Sequence, residues 1–262
     1  MNRFTHFHHL PQGSNILYTA ALVVLALGYS LAVIYLYTTH AGRDGRPGLS
    51  TEDIVITYGG SQKDTRLETA IKGPMSGMLH KEDVAEIVAW VRGNTGREQF
   101  QAKIAPILQE HCLACHDGRN PHVHNLQGYD NVMKLVKLDT GMDIFTLIRV
   151  SHIHLFGMTF IFFITGSIFV HAHVRPLWFK RAVIAIPFIA IILDVSAWYL
   201  TKVYASFAWV VMIGGIFMAS AFATQWVVSM YQIWFYQLPP RSPGERAAML
   251  VDRKPDRPEI RC

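Results

Sequence analysis

Four long apolar runs divide the chain into polar segments of very different length. The first run covers residues 16–37 and carries no charge, and the others cover about 146–170, 182–200 and 207–236. A helix needs about 20 apolar residues to cross the hydrocarbon core of a membrane. The pattern therefore predicts four transmembrane helices. The first is longer than the apolar core of a signal peptide, which indicates an uncleaved anchor.

The polar segment between the first and second runs predicts a folded domain outside the bilayer. Residues 39–143 hold twelve Lys and Arg and fourteen Asp and Glu, so this segment is slightly acidic. Its apolar positions follow helical spacing, and the predicted fold class is all-α. The predicted units are an N-terminus with a membrane anchor at 1–38, an extramembrane domain at 39–143, a three-helix membrane domain at 144–238 and a basic tail at 239–262.

Composition agrees with a chain that is part membrane and part soluble. Hydrophobic residues make up 51% of the 262 positions and charged residues only 16%, whereas soluble domains carry about 25% charged residues. Three cysteines are too few for a disulfide scaffold. These values exclude a disordered, fibrous or nucleic-acid-binding protein. The apolar spans are predicted to contact membrane lipid.

Basic residues near the ends of the spans predict the orientation. Arg3 precedes the first span, and the link between the second and third spans carries Arg175, Lys180 and Arg181 without an acid. The tail after residue 238 holds six basic and four acidic residues, while the tip between the last two spans holds Lys202. Cytoplasmic loops carry the excess of Lys and Arg. Both termini are therefore predicted to be cytoplasmic and the 39–143 domain to lie outside.

The most specific motif is CLACH at residues 112–116. In a CxxCH motif the two thiols, here Cys112 and Cys115, add to the vinyl groups of a haem, and the adjacent His116 ligates the iron. A zinc site is an alternative, for which His122 and His124 could supply further ligands. Haem c is favoured because it is attached outside the cytoplasm, where the charges independently put this domain.

With its flanking helices, the motif resembles class I cytochromes c in an unusual order. A helix over 99–110 leads into CLACH, which is how such domains begin, while the upstream stretch GPMSGMLHKEDVAEIVAWV resembles their end. Residues 52–135 thus resemble a monohaem cytochrome c domain with its halves exchanged. The resemblance implies that a helix over 82–92 crosses the helix over 99–110. Alternatively, residues 52–93 are a degenerate tandem domain that has lost its own CxxCH.

The second iron ligand is a choice among methionines and histidines. The exchanged order points to Met75 or Met78, in the loop before the terminal-type helix. Met133 and Met142 follow the motif, as the ligand does in the usual order, and they stay as alternatives, together with His122 and His124. The choice matters because a Met ligand raises the reduction potential of a haem relative to a second His.

A second group of candidates lies at the outer edge of the membrane. Arg149, His152, His154 and Asp194 fall near the outer ends of the second and third spans, where ionisable groups are a functional hypothesis by default. They would suit a quinone site. Haem b is a further hypothesis, in which His40 meets His152 or His154, or the second span meets its own copy across a dimer. Neither of the last two spans contains a histidine.

The sequence thus predicts a bacterial inner-membrane cytochrome with a periplasmic haem c domain and one-electron transfer in a respiratory chain as its function. The chain as a whole resembles inner-membrane cytochromes in which a cytochrome c domain precedes a helical membrane domain. Its partners would be other redox proteins or subunits of a respiratory complex. One alternative is a quinol-oxidising or haem b-containing subunit of a quinol:cytochrome c-type oxidoreductase; another is a structural subunit that docks the cytochrome onto a larger complex.

Overall fold

The structure is a computed structural model that describes residues 6–121 and 123–236. Within these ranges every regular element is a helix, and the only β pairing is an isolated bridge between Thr65 and Leu138. The all-α prediction is confirmed. Arg3, His122 and the tail at 239–262 lie outside the described residues. The α-helices are α1 (Gln12–His40), α2 (Thr51–Gly59), α3 (Arg66–Lys72), α4 (Lys81–Arg92), α5 (Arg97–Gln99), α6 (Ala105–His111), α7 (Tyr129–Met133), α8 (Ile144–Phe169), α9 (Leu177–Thr201) and α10 (Ala208–Trp234).

Four of these helices are long and apolar enough to cross a membrane: α1, α8, α9 and the stretch Ala205–Trp234 that contains α10. The prediction of four spans, one of them N-terminal, is confirmed. The largest difference in boundary is at α9, which starts at Leu177 and so takes in Lys180 and Arg181. Lys180 Nζ donates to the carbonyls of Val170 and Ala172, both at 2.7 Å, and this contact caps the end of α8.

Helices α8, α9 and α10 form a three-helix bundle, and α1 lies against its side. Gly214 of α10 faces α9 closely, since a Cβ built on it would lie 3.5 Å from Cβ of Asp194. The anchor α1 is held to α10 by a hydrogen bond of 2.9 Å from Trp226 Nε1 to the carbonyl of Leu22. Tyr29 also stacks on Phe222, with ring centroids 4.2 Å apart. Most of the remaining surface of α1 is exposed and apolar.

The extramembrane segment has one hydrophobic core, built from helices on both sides of the CLACH motif. Its buried residues are Leu67, Ile71, Ile87, Trp90, Val91, Phe100, Ile104, Leu108, Leu126 and Val132. Helix α4 packs across a π-helical turn at Phe100–Ile104, where the rings of Trp90 and Phe100 lie 5.5 Å apart. The two segments that the resemblance expects to cross are therefore in contact. A single core also favours one domain over a tandem pair.

Helix α2 belongs to the membrane bundle, although the sequence grouped its residues with the cytochrome-like segment 52–135. Ile54 and Tyr58 are buried in the same hydrophobic cluster as Leu147 of α8 and Trp198 of α9. Lys202, in the tip between α9 and α10, holds α2 against the bundle. Its Nζ donates hydrogen bonds of 2.7–3.0 Å to the carbonyls of Tyr58, Thr140 and Met142. The extramembrane core is thus joined to the bundle through α2 and the link before α8.

Candidate functional site

The CLACH motif forms a tight turn at the end of α6. The backbone N–H groups of Cys115 and His116 both donate to the carbonyl of Cys112, at 3.2 and 2.9 Å. Cys112 is half-buried and Cys115 is exposed, and neither forms a disulfide. Burial raises the pKa of the Cys112 thiol. The turn therefore presents two reduced thiols and the imidazole of His116 from one short segment.

The orientation of His116 is set by the loop that follows the motif. Its Nδ1 lies 2.7 Å from the backbone carbonyl of His124. A carbonyl oxygen only accepts hydrogen bonds, so Nδ1 carries the hydrogen and Nε2 of the neutral ring keeps its lone pair. Metal-ligating histidines are typically held in this way, by donation of the other ring N–H to a carbonyl or carboxylate. The same loop is tied back by Leu126, whose N–H donates to the carbonyl of His116 at 2.9 Å.

A cavity of about 510 Å³ lies beside the motif, within the range of about 300–1,000 Å³ found for ligand sites. Apolar side chains, among them Phe100, Leu108 and Leu126, supply much of its wall, while Asp117 and Gln127 contribute polar groups. Leu113, inside the motif, also lines it. Two thiols and an oriented imidazole are the groups that covalent attachment of a haem would use, and the partly apolar cavity lies next to them in the chain through Leu113 and Asp117.

The loop with Met75 and Met78 lies near the start of the motif. Met78 ends a 3₁₀ turn and is 68% exposed, while Met75 is 39% exposed. Two residues further on, the ring of His80 contacts the ring of His111 at 5.6 Å, edge to face, and His111 directly precedes Cys112. The two methionines that the exchanged order favours are therefore on a surface loop next to the candidate haem site.

The other predicted second ligands are distributed differently. Met133 packs against the core that carries the motif, whereas Met142 packs against the membrane cluster. Met142 is held there through its backbone, by bonds to Thr57 and Lys202. His124 has an exposed side chain and contributes its carbonyl to His116, and His122 lies outside the described residues.

A zinc site needs a cluster of at least three ligating side chains. Among residues 6–121 and 123–236, no group of three or more His, Cys, Asp or Glu side chains is arranged to hold a metal ion. Haem c does not depend on such a cluster, because the porphyrin supplies four iron ligands and the protein one or two. Because His122, one of the two further ligands that the zinc alternative needs, lies outside these ranges, haem c and zinc both stay predictions.

Two of the four predicted membrane-edge residues meet, and two do not. His154 Nε2 lies 3.8 Å from Oδ2 of Asp194, whose side chain is buried in the bundle. Arg149 and His152 instead point outward and are exposed. Trp198, one turn beyond Asp194, has its ring 5.0 Å from the ring of His154 and stacks on Tyr58 of α2 at 5.5 Å. Sequence spacing did not reveal the stacking of Tyr58 on Trp198, because Tyr58 comes from α2.

The histidine at the end of the first span does not take part in this group. His40 Nδ1 is hydrogen-bonded to Thr57 Oγ1 at 3.1 Å, whereas His154 contacts Asp194. At the opposite end of the bundle, His173 Nδ1 is 3.1 Å from the hydroxyl of Tyr236, and the ring of His171 stacks on Tyr18. A bis-histidine haem b site within one chain has no support in these contacts.

Comparison with known proteins covers only the membrane part of the chain. A family model described as a transmembrane helical domain matches residues 140–240. This range contains α8, α9 and α10 and stops short of the CLACH motif. No curated protein and no solved structure matches the chain.

Proposed function

We propose that the chain is a membrane-anchored monohaem c-type cytochrome that transfers single electrons at the outer face of a bacterial inner membrane. The observation that carries the proposal is the geometry of His116. His116 follows a CxxC pair at the end of a helix, and its Nδ1 donates a hydrogen bond of 2.7 Å to the carbonyl of His124. This hydrogen bond leaves Nε2 of His116 available to ligate iron. A bound haem would supply the one-electron couple.

The chain's own residues would attach, ligate and shield this group. Cys112 and Cys115 would form the two thioether bonds, and His116 would be the proximal ligand. Met78 or Met75 is favoured as the distal ligand by its loop beside His111. Leu113 and Leu126 line the adjacent cavity, where apolar walls limit the access of water and so help to set the reduction potential.

The proposed orientation puts the haem domain in the periplasm and both termini in the cytoplasm. Arg175 in the link between α8 and α9, and Lys180 and Arg181 near the start of α9, support it through the positive-inside rule. Covalent haem attachment outside the cytoplasm is consistent with the same orientation. A membrane-impermeant thiol reagent on intact spheroplasts should label Lys81→Cys, whereas Arg175→Cys should react only after lysis. The reverse pattern would contradict the orientation.

Redox titration of the purified full chain, with visible absorption as the readout, tests the function. We expect one n = 1 couple with a low-spin haem spectrum. His116→Ala should lose that spectrum, whereas His124→Ala should keep it, because only the backbone carbonyl of His124 contacts His116. Met78→Leu or Met75→Leu should lower the potential while Met133→Leu should not. A preparation without any visible redox couple would contradict the proposal.

The three spans that follow the haem domain exceed what a simple tether needs. They match a family model described as a transmembrane helical domain, and it is their number that supports a role in addition to anchoring. Docking onto other redox proteins or subunits of a respiratory complex is one such role, and it would appear as co-purification that is lost from a chain truncated after residue 143.

A further inference from the structure

The segment that precedes the first span packs onto the bundle at the end away from the CLACH motif. Residues 6–10, here called the docked segment, contain a 3₁₀ turn at Phe7–His9, and the side chains of His6 and Phe7 are fully buried. The ring of Phe7 lies in a hydrophobic cluster whose other buried members are Leu22, Ile168, Phe169, Ala172, Val183 and Ile233. One apolar and one titratable side chain therefore hold this segment in place.

Both ring nitrogens of His6 make hydrogen bonds that require the neutral imidazole. Nε2 lies 3.0 Å from Oε1 of Gln232, an oxygen that also accepts from the backbone N–H of His173 at 2.6 Å. An amide oxygen only accepts, so Nε2 of His6 carries the hydrogen and Nδ1 keeps its lone pair. That lone pair accepts from the backbone N–H of His8 at 3.3 Å. A second proton on the ring would occupy Nδ1 and remove the hydrogen bond from His8.

The described parts of the bundle supply no negative charge at this end to balance a protonated His6. Residues 6–37, 144–193 and 195–236 contain no Asp or Glu. The titratable and basic groups that surround the docked segment are His8, His9, Tyr18, His171, His173, Arg175, Lys180, Arg181 and Tyr236. Burial lowers the pKa of His6 below its ordinary value of 6.5, more than the hydrogen bond to Gln232 raises it, and His8 and His173 lower it further. A buried imidazolium is therefore disfavoured in the docked state.

We propose that His6 is a pH switch: the docked segment stays on the bundle while His6 is neutral and is released when His6 takes up a proton. A histidine whose pKa is lowered in the docked state stabilises docking above the ordinary value of 6.5. This contribution is lost as the pH falls from 6.5 towards the lowered value. Release would uncover the apolar pocket that Phe7 fills. The switch involves no haem, so it does not depend on the proposed function.

Hydrogen exchange of the purified full chain in detergent, read by mass spectrometry, tests the switch. The amides of His9 and Leu10 donate to the carbonyls of His6 and Phe7 at 2.9 and 3.0 Å, and a turn this short does not persist without its packing. The readout is the protection factor of these amides, which is taken relative to an unstructured peptide at the same pH. One proton bound only in the released state predicts a protection factor about tenfold lower at about pH 5.5 than at about pH 7.5. An unchanged protection factor would overturn the proposal.

His6→Gln separates His6 from the other histidines at this end. A glutamine amide can donate to Gln232 and accept from the His8 N–H but does not titrate, so the protection factor should be high at both pH values. His9→Gln is the matched control, because His9 lies in the same turn with an exposed side chain, and it should lose protection in acid as the wild type does. An acid loss that persists in His6→Gln would overturn the role of His6.

Gln232→Glu gives a second test, which decides the matter if the His6→Gln segment does not dock even at about pH 7.5. A carboxylate beside His6 favours the charged imidazole. The docked segment should therefore stay protected at about pH 5.5, where the wild type loses protection. An acid loss in Gln232→Glu as large as that of the wild type would show that His6 is not the group that titrates, and the proposal would be wrong.

Discussion

The backbones of Gly60 and Gly141 are in close contact where the extramembrane segment joins the bundle. Gly60 has φ +77° and ψ 169°, a conformation that is close to exclusive to glycine. A Cβ on Gly60 would lie 2.1 Å from the carbonyl oxygen of Asp139, and one on Gly141 would lie 2.3 Å from that of Tyr58. These two positions are where backbone contact requires glycine most strictly.

Gly60→Ala is expected to destabilise the chain more than the matched change Gly128→Ala. Gly128 has a similar backbone conformation, φ +87° and ψ 157°, but a Cβ on it would meet only open space. Gly128→Ala should therefore lose only the conformational term, about 1–3 kcal/mol, while Gly60→Ala adds steric overlap. Melting temperatures in one detergent measure the difference. Equal melting temperatures would contradict the close contact.

Glu68 provides a pH-dependent contribution to the extramembrane core. Its buried carboxylate accepts hydrogen bonds from Thr65 and from Arg92 Nε, the latter at 2.7 Å. Burial raises its pKa, but the bonds to Thr65 and Arg92 outweigh burial and hold the pKa below its ordinary value of 4.5. A lowered carboxyl pKa stabilises the fold above the unfolded value and loses this effect as pH falls through the folded value.

Glu68→Gln should therefore destabilise the protein at pH 7, by about 1–2 kcal/mol from the lost charged hydrogen bonds. The difference from the wild type should shrink as the pH falls below the ordinary carboxyl pKa of 4.5. Thermal unfolding across this pH range is the measurement. Glu98→Gln, at an exposed position, should follow the wild type at every pH. A wild-type to Glu68→Gln difference that does not depend on pH would contradict the lowered pKa.

Helix α2 shows how an element can be assigned to the wrong unit from sequence. Its capping box, with Ser50 and Asp53, makes the helix predictable. Its partners are not, because Ile54 and Tyr58 resemble the core residues of any small helical domain. Ile54 and Tyr58 pack against the membrane bundle because of the tip between α9 and α10. There Lys202, which is 144 residues after Tyr58, donates a hydrogen bond to the Tyr58 carbonyl.

Lys202→Met should loosen the joint between the membrane hairpin and α2. The change keeps the length of the side chain but removes three hydrogen bonds from an ammonium group. Loss of one charged hydrogen bond typically destabilises by about 1.5–3 kcal/mol, and a loss of about 3 kcal/mol is expected. The melting temperature and the rate of proteolysis after residue 136 measure it. The exposed control Lys63→Met should change neither the melting temperature nor the rate of proteolysis. An equal response of both variants would contradict the claim that Lys202 holds the membrane hairpin to α2.

At the scale of the whole molecule, the membrane part was the easier to predict. Length and hydropathy alone define the four spans, because a bilayer imposes both on any helix that crosses it. The CLACH motif was equally visible, since its chemistry needs fixed spacing. The cavity and the contact between His154 and Asp194 were not visible, because the packing of separate helices builds them. The His124 carbonyl was not visible either, because the conformation of the loop after the motif sets its direction. Sequence also left the distal ligand open among Met75, Met78, Met133 and Met142.

The intact mass of the full chain, purified from a bacterial host that matures c-type haems, tests the central claim most directly. We expect a polypeptide that carries one haem after denaturation, with a thioether-type pyridine haemochrome spectrum. Cys112→Ala/Cys115→Ala should return the mass to that of the bare chain, while Cys262→Ala should keep the haem. A wild-type chain with the mass of the unmodified polypeptide would contradict the assignment as a c-type cytochrome.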